Sequence, residues 1–171
     1  MSTLAPDEKS TTVMVYTQNQ LVRGELVTKQ SARVNIWLRM QGQVNYIQIR
    51  RPQVLSFGGP LTKSVVYDEL YLPIAQLHGF HLVTQGEDAL DYDESEPNRT
   101  MKDVNLLLGS FGVKGKVRIS THADFATSIE MAHAGWLSVY DAEVSALFVP
   151  QFPVFHAKMM LVNPKFASFG V

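Results

Sequence analysis

The feature of this sequence that most constrains its fold is a short pattern that occurs twice. Residues 22–26 (VRGEL) are followed 91 positions later by residues 113–117 (VKGKV). After a deletion of one residue, residues 46–49 (YIQI) lie over residues 136–139 (WLSV). Because these features recur in the same order along the chain, we predict an internal duplication of one small structural unit.

The first copy consists mainly of short β-strand signals. Residues 13–16 and 21–27 are rich in β-branched and aromatic side chains, and residues 17–20 (TQNQ) between them favour a turn. Residues 34–38 and 44–50 alternate apolar and polar side chains, which is typical of a strand with one buried face. The first copy therefore predicts a series of short antiparallel strands.

The last strand signals of the two copies also correspond. Residues 67–74 predict a strand near a sheet edge, and residues 155–162 are the matching run of the second copy. Residues 124–134 are a candidate for a short helix. About five strands per copy, with a glycine in the second strand where the chain must bend, predict a mainly β fold of two tandem five-stranded barrels.

Two segments lie outside the predicted barrels. Residues 1–10 have neither the basic start nor the apolar run of a secretory signal, and they predict a disordered N-terminal arm. Residues 84–103 contain seven acidic and two basic residues and no periodic apolar face, which predicts a mobile acidic linker. The chain thus divides into a first module (residues 11–83), the linker, and a second module (residues 104–171).

The composition of the 171 residues narrows the class of protein. With 46% hydrophobic and 18% charged residues, the chain can bury a core, which excludes disorder as its global state. The absence of cysteine excludes a disulfide framework, a thiolate metal site and a cysteine nucleophile. This absence also fits a reducing compartment, so we expect a cytoplasmic location. No apolar run has membrane-spanning length, so we expect no membrane span.

The order of features resembles that of the Sm-like small β-barrel. The resemblance rests on an apolar-x-Gly-x-apolar pattern in the second strand, two further strands and a hydrophobic last strand. More narrowly, the second copy resembles an uncharacterised bacterial family of small Sm-like domains through residues 111–117 (FGVKGKV) and 136–144 (WLSVYDAEV). The resemblance implies tandem Sm-like barrels, and if these packed together they would mimic two subunits of a ring.

The sequence departs from the RNA-binding Sm proteins at the loops that bind RNA. Those proteins carry an Asp and a Met-Asn pair in one loop and Ile-Arg-Gly in another, and neither pattern stands at the corresponding place here. Residues 49–51 (IRR) match the second pattern imperfectly, and no capping N-terminal helix is evident. Ring formation and uridine binding are therefore not implied residue by residue.

No local motif predicts an enzyme or a cofactor site. His78 and His81 are three residues apart, a spacing that sends strand side chains to opposite faces, so we expect no metal site. No nucleophile elbow or paired-carboxylate pattern is present. Asp141 and His156 are the remaining candidates for a catalytic pair, and an enzyme is the third-ranked hypothesis.

Two surfaces are candidates for binding. The first is an interface for a partner protein or another copy of the chain, since the C-terminal region concentrates phenylalanine and methionine side chains that a small barrel need not bury. Its residues are Phe148, Phe152, Phe155, Met159, Phe166 and Phe169. The second is a nucleic-acid or anion surface on the first module, whose formal charge is +4. Its residues are Arg23, Arg33, Arg39, Arg50, Arg51, Trp37 and Tyr46.

We therefore expect a non-catalytic scaffold or protein-interaction module that forms homo-oligomers or binds a partner protein through edge strands and exposed aromatic side chains. The alternative is a protein that binds nucleic acid or an anionic ligand through the arginines of the first module. Binding that is sensitive to salt and is lost when Arg50 and Arg51 become alanine would favour this alternative. Neither hypothesis requires a cofactor.

Overall fold

The computed structural model describes residues 4–171 apart from residues 41, 43, 60, 61, 85–89, 133 and 134. The strands of this part of the chain are β1 (Glu8–Tyr16), β2 (Gln20–Lys29), β3 (Tyr46–Ser56), β4 (Lys63–Val66), β5 (Glu69–Pro73), β6 (Gly79–Leu82), β7 (Arg99–Leu108), β8 (Phe111–Ser120), β9 (Leu137–Ala146), β10 (Phe155–Val162) and β11 (Ser168–Gly170). The helices are α1 (Trp37–Met40) and α2 (Phe125–Ala132), and 3-10 turns span Val34–Ile36, Ile74–Gln76 and Pro164–Phe166.

The strands form one antiparallel sheet. Its order is β11, β7, β8, β9, β10, β6, β1, β2, β3 and β4, and β5 pairs with the first half of β3. The first module supplies one side of this order and the second module the other, and they meet where β6 pairs with β10. The mainly β prediction is confirmed.

The two predicted five-stranded barrels are not confirmed by this topology, because the strands form one open, continuous sheet. Period-2 alternation identifies which side chains share a face of a strand, but it does not identify the strand that pairs with each edge. In the second module β11 pairs with β7, while β10 pairs with β9 and also with β6 of the first module.

Helix α2 confirms the helix predicted at residues 124–134, of which residues 133 and 134 lie outside the described residues. Asp124 caps the N-terminus of α2, since its Oδ1 accepts a hydrogen bond of 2.7 Å from the amide of Thr127.

The prediction of a strand at residues 34–38 is wrong. A 3-10 turn and α1 occupy residues 34–40, and the buried side chains Val34 and Leu38 are four residues apart, as on one face of a helix. No helix in the described ranges is long and apolar enough to cross a membrane.

Gly24 and Gly115 lie at irregularities in the second strand of each module. A Cβ on Gly24 would overlap the side chain of Ile49, and a Cβ on Gly115 would lie 2.6 Å from Cγ1 of Val139. The pairing register shifts next to both glycines. These glycines therefore allow close approach of the neighbouring strand, as a strongly bent sheet requires.

The sheet of the first module is covered on both faces. Val13 and Val15 of β1 lie in one core, which consists mostly of first-module residues and also contains Leu161 of β10, whereas Met14 and Tyr16 lie in the other. This second core is shared, since it also contains Phe111, Val113 and their neighbours from the second module. Alternation along β1 thus places one module's sheet between two apolar layers.

Parts of the predicted N-terminal arm and of the predicted linker form β-strands. Strand β1 begins at Glu8, inside the segment predicted as an arm, and Asp7 pairs with Lys29 on β2 at 2.7 Å. Strand β7 begins at Arg99, inside the predicted linker. Glu87 and Asp88 of the acidic run lie outside the described residues.

Candidate functional site at the joint between the modules

The two modules are joined edge to edge by strands β6 and β10. Leu161 pairs with Phe80 and Val162 with Gly79, and the amide of Asn163 donates a 2.9 Å hydrogen bond to the carbonyl of His78. A side chain at Gly79 would overlap Met160 of β10, so glycine permits this approach. Backbone groups that a single module would leave unpaired are therefore satisfied within the chain.

The joint is reinforced by aromatic side chains that cross the shared core. Tyr16 contacts Phe111 of the second module edge to face at 5.0 Å between ring centroids. Phe57 contacts Phe111 and Phe152 in the same way, each at 5.3 Å. Because aromatic residues bury large areas, these contacts make the modules a single packing unit.

The hairpin turns of the two modules also touch. The amide of Ser110 donates to the carbonyl of Gln18 at 2.8 Å. Gly109, beside it, has a φ of +57°, and a Cβ there would overlap the Gln18 carbonyl. Glycine is required at this position both for its left-handed backbone and for the closeness of the neighbouring turn.

A polar network ties the segment between the modules to both of them. Asp91, whose side chain is only 7% exposed, forms an ion pair with Arg39 of the first module. It also accepts hydrogen bonds of 2.6 Å from Ser138 Oγ and from the Tyr140 hydroxyl of the second module. Arg39 in turn donates to Ser138 Oγ and to the carbonyl of Trp136, at 2.6 and 3.0 Å.

The electrostatics of this network favour a charged Asp91. Burial raises the pKa of its carboxyl, but hydrogen bonds from Ser138, Tyr140 and Arg39 outweigh burial and hold the pKa below its ordinary value of 3.8. Burial, together with the adjacent Asp91 carboxylate, raises the pKa of the Tyr140 hydroxyl. The network is therefore a satisfied structural centre whose phenol stays protonated at neutral pH.

Two cavities lie beside the joint. The larger, of about 620 Å³, has charged groups of both signs on its walls, among them Asp103, Lys116 and Asp141. The smaller, of about 350 Å³, is mostly apolar and lies between side chains of the two modules. Arg23 is the arginine at its rim.

The structure distributes the five candidate arginines over several environments. Arg39 belongs to the Asp91 network, and Arg33 donates to the carbonyl of Leu90 at 3.3 Å. Arg51 pairs with Glu25 at 2.6 Å. Arg50 is half-buried and lies with Arg51 beside a separate cavity, while Arg23 on β2 is at the rim of the 350 Å³ cavity.

The aromatic residues proposed to stack on bases also differ in exposure. Trp37 packs against the core of the first module. Tyr46 is 55% exposed on β3. The structure therefore does not bring Trp37, Tyr46 and the arginines together as one open face.

The candidate interface residues in the second module mostly pack inside the molecule. Phe152 and Phe155 contact each other at 5.8 Å beside the shared core, and Met159 is buried. Phe166 stacks on His78 at 4.2 Å, and Phe169 contacts Phe125 at 5.9 Å. Phe148 and Phe166 are the more exposed members: Phe148 is 75% exposed between β9 and β10, and Phe166 is 38% exposed despite its contact with His78.

The histidine candidates are held by structural contacts. His78 and His81 are both buried, and His81 Nε2 lies 2.9 Å from the Tyr16 hydroxyl. Within the described ranges no group of three or more His, Asp or Glu side chains could hold a metal ion. Asp141 and His156, the candidate catalytic pair, each contact another residue. Lys116 Nζ lies 3.4 Å from Asp141 Oδ2, and His156 Nδ1 lies 3.9 Å from Glu143 Oε1.

The Asp91 network was missed at the level of sequence, although a signal for it was present. The cationic first module and the acidic segment carry opposite charge, which indicates contact between them. Which carboxylate becomes buried depends on Ser138 and Tyr140, which are distant in sequence. The network can orient the two modules, because donors from both modules converge on one carboxylate of the segment between them.

The chain was compared with known proteins at three levels. No family model, no curated protein and no solved structure matches it.

Proposed function

We propose that this chain is a non-catalytic assembly module, built from two Sm-like units, that associates with further copies of itself through the free edges of its sheet. The observation that carries this proposal is the β6–β10 joint, in which an edge of one module completes an edge of the other. A contact that joins two similar units within one chain can also join units of different chains. Such head-to-tail contacts generate rings or filaments.

Matching backbone features support the equivalence of the two modules. Gly24 and Gly115 lie at corresponding register shifts, and Arg51 and Asp141 have positive φ angles of 47° and 49° at corresponding positions of β3 and β9. A 3-10 turn follows β5 in the first module and β10 in the second. By this correspondence β5 is equivalent to β10, and β11 is equivalent to β6.

Strands β5 and β11, which correspond to the joined strands β10 and β6, lie at free edges of the sheet. β11 ends the sheet order on one side, and in the described chain β5 pairs only with β3. A second copy could therefore place its β11 against β5, as β6 lies against β10 within the chain. Exposed Tyr71 on β5 would lie at this contact.

Pro73 weakens the proposed contact between chains. It corresponds to Asn163, whose amide donates to His78 across the internal joint. Proline has no amide hydrogen, and natural edge strands use proline to limit pairing. We therefore expect reversible association between chains, in contrast to the permanent internal joint.

Nucleic-acid binding is less well supported as a function. Arg33, Arg39 and Arg51 bond to Leu90, Asp91 and Glu25 respectively, so their charges already serve contacts within the chain. Binding to phosphates would have to compete with these contacts.

The test is light scattering during size-exclusion chromatography over a wide range of loading concentrations, with absorbance recorded for protein and for nucleic acid. Wild-type protein is expected to show a concentration-dependent increase in mass without nucleic acid. Pro73→Val restores an amide donor at the edge. The added hydrogen bond is worth about 1 kcal/mol, so the dissociation constant should fall about fivefold. Tyr71→Lys should weaken it, because edge lysines oppose pairing.

The matched control is Tyr46→Lys, which makes the same change at an exposed tyrosine of the neighbouring strand β3. Its association should equal that of the wild type. A protein that stays monomeric at every concentration, including the Pro73→Val variant, would contradict the proposal. A monomer that carries nucleic acid would favour the arginine surface instead.

A further inference from the structure

We infer that the 350 Å³ cavity beside Arg23 is a binding site for a small monocarboxylate with an apolar body. The volume lies within the range of small-molecule sites, which is about 300–1,000 Å³. This site is separate from the free sheet edges, so the inference does not depend on self-association.

The body of the cavity is apolar and comes from both modules. Met14, Leu21 and Leu55 of the first module line one side, and Phe152 and Phe155 of the second module line the other. These side chains belong to the shared core or pack against it. An apolar ligand would therefore extend an existing hydrophobic layer and gain by leaving water.

His81 lines the cavity without adding charge to it. Its Nδ1 lies 2.9 Å from the carbonyl of Leu82, and because a carbonyl can only accept, Nδ1 carries the proton. Its Nε2 then accepts from the Tyr16 hydroxyl at 2.9 Å. Burial lowers the pKa of His81, which is therefore neutral at pH 7. Both ring nitrogens are engaged, so the ring offers the cavity an uncharged wall.

Arg23 supplies the polar end of the site. It is exposed at the rim and makes no hydrogen bond or ion pair with any described residue. Its strand neighbour across the ladder is Gln53, whose amide donates to Ser64 at 3.3 Å. A guanidinium can donate two parallel hydrogen bonds to one carboxylate. The arrangement fits a ligand with its carboxylate at Arg23 and its apolar part between the modules.

The charge around the rim favours a single negative group. His156 also lines the cavity, and its Nδ1 lies 3.9 Å from a carboxylate oxygen of Glu143. Arg23 is the one permanent cation among the residues that line the cavity. A second negative group on the ligand would meet no further permanent cation among these lining residues, so dicarboxylates should bind less well than monocarboxylates.

The experiment is isothermal titration calorimetry of the full chain with octanoate, with octanol and acetate as comparison ligands. Octanoate should bind saturably with one site per chain, and both octanol and acetate should bind at least tenfold more weakly. Arg23→Gln removes an exposed cation and should weaken octanoate binding at least tenfold, as expected for loss of a charged hydrogen bond. Arg23→Lys should give an intermediate loss.

The matched control is Lys114→Gln, which removes one positive charge from the corresponding position of β8 in the second module. It should bind octanoate as the wild type does. The inference is overturned if octanoate does not bind saturably, or if Arg23→Gln and wild type bind it equally. Equal binding of octanol and octanoate would likewise overturn it, because the site would then be apolar without carboxylate recognition.

Discussion

Arg39 of the first module and Asp91 of the intervening segment form an ion pair whose carboxylate is almost fully buried. Ser138 and Tyr140 of the second module complete the hydrogen bonds of that carboxylate. The first module, the intervening segment and the second module therefore contact one another at the Asp91 carboxylate. The relative position of the modules depends on this centre as well as on strand pairing and the shared apolar core.

Asp91→Ala should lower the free energy of unfolding by about 3 kcal/mol, because removal of one partner leaves Arg39, Ser138 and Tyr140 without their common acceptor. Urea denaturation followed by circular dichroism measures this change. Glu94→Ala is the control, since Glu94 is exposed in the same segment and forms no bond to another described residue. Equal effects of the two substitutions would show that the network does not stabilise the fold.

The stabilisation by Asp91 should depend on pH. Its pKa in the folded protein is below the ordinary value of 3.8, so its contribution is complete above that value and is lost as pH falls through the folded pKa. The difference in unfolding free energy between wild type and Asp91→Asn should therefore narrow below about pH 4. Denaturation curves at a series of pH values test this, and a difference that stays constant would exclude the depressed pKa.

Gly109→Ala should lower the free energy of unfolding by at least about 2 kcal/mol. The substitution places a side chain at a φ of +57° and against the Gln18 carbonyl of the other module. Gly42→Ala is the control, because a Cβ at Gly42 meets no atom within 4 Å. Thermal unfolding of the two variants should differ clearly, and similar melting temperatures would mean that the turns do not touch as described.

Tyr16→Phe should cost about 1–2 kcal/mol of stability, because it removes the donor to His81 Nε2 and leaves that nitrogen buried without a bond. The same loss of a hydroxyl in Tyr46→Phe, at an exposed site, should change stability by less than about 0.5 kcal/mol. Chemical denaturation compares the two variants. A Tyr16→Phe protein as stable as wild type would show that the hydrogen bond contributes nothing net.

Much of the local structure was predictable from the sequence. The run at residues 155–162 predicted β10 at its observed bounds, and the glycine pattern identified the two bent strands at Gly24 and Gly115. The segment at Val34–Met40 was not predictable in the same way. The spacing of Val34 and Leu38 fits both the two-residue period of a strand and the four-residue spacing of a helix. Packing against the core that contains Val13 and Val15 decides between strand and helix.

The sequence by itself determined where strands form, which side chains share a face, and where glycine lets strands approach, because sterics and side-chain alternation act between near neighbours in the chain. Only the tertiary structure decided that β6 pairs with β10, that Tyr16 and Phe111 share a core, and that Asp91 is buried against Arg39. These contacts join residues far apart in sequence. Their geometry depends on which strand edges pair across the whole sheet and on what covers its faces, which local patterns do not encode.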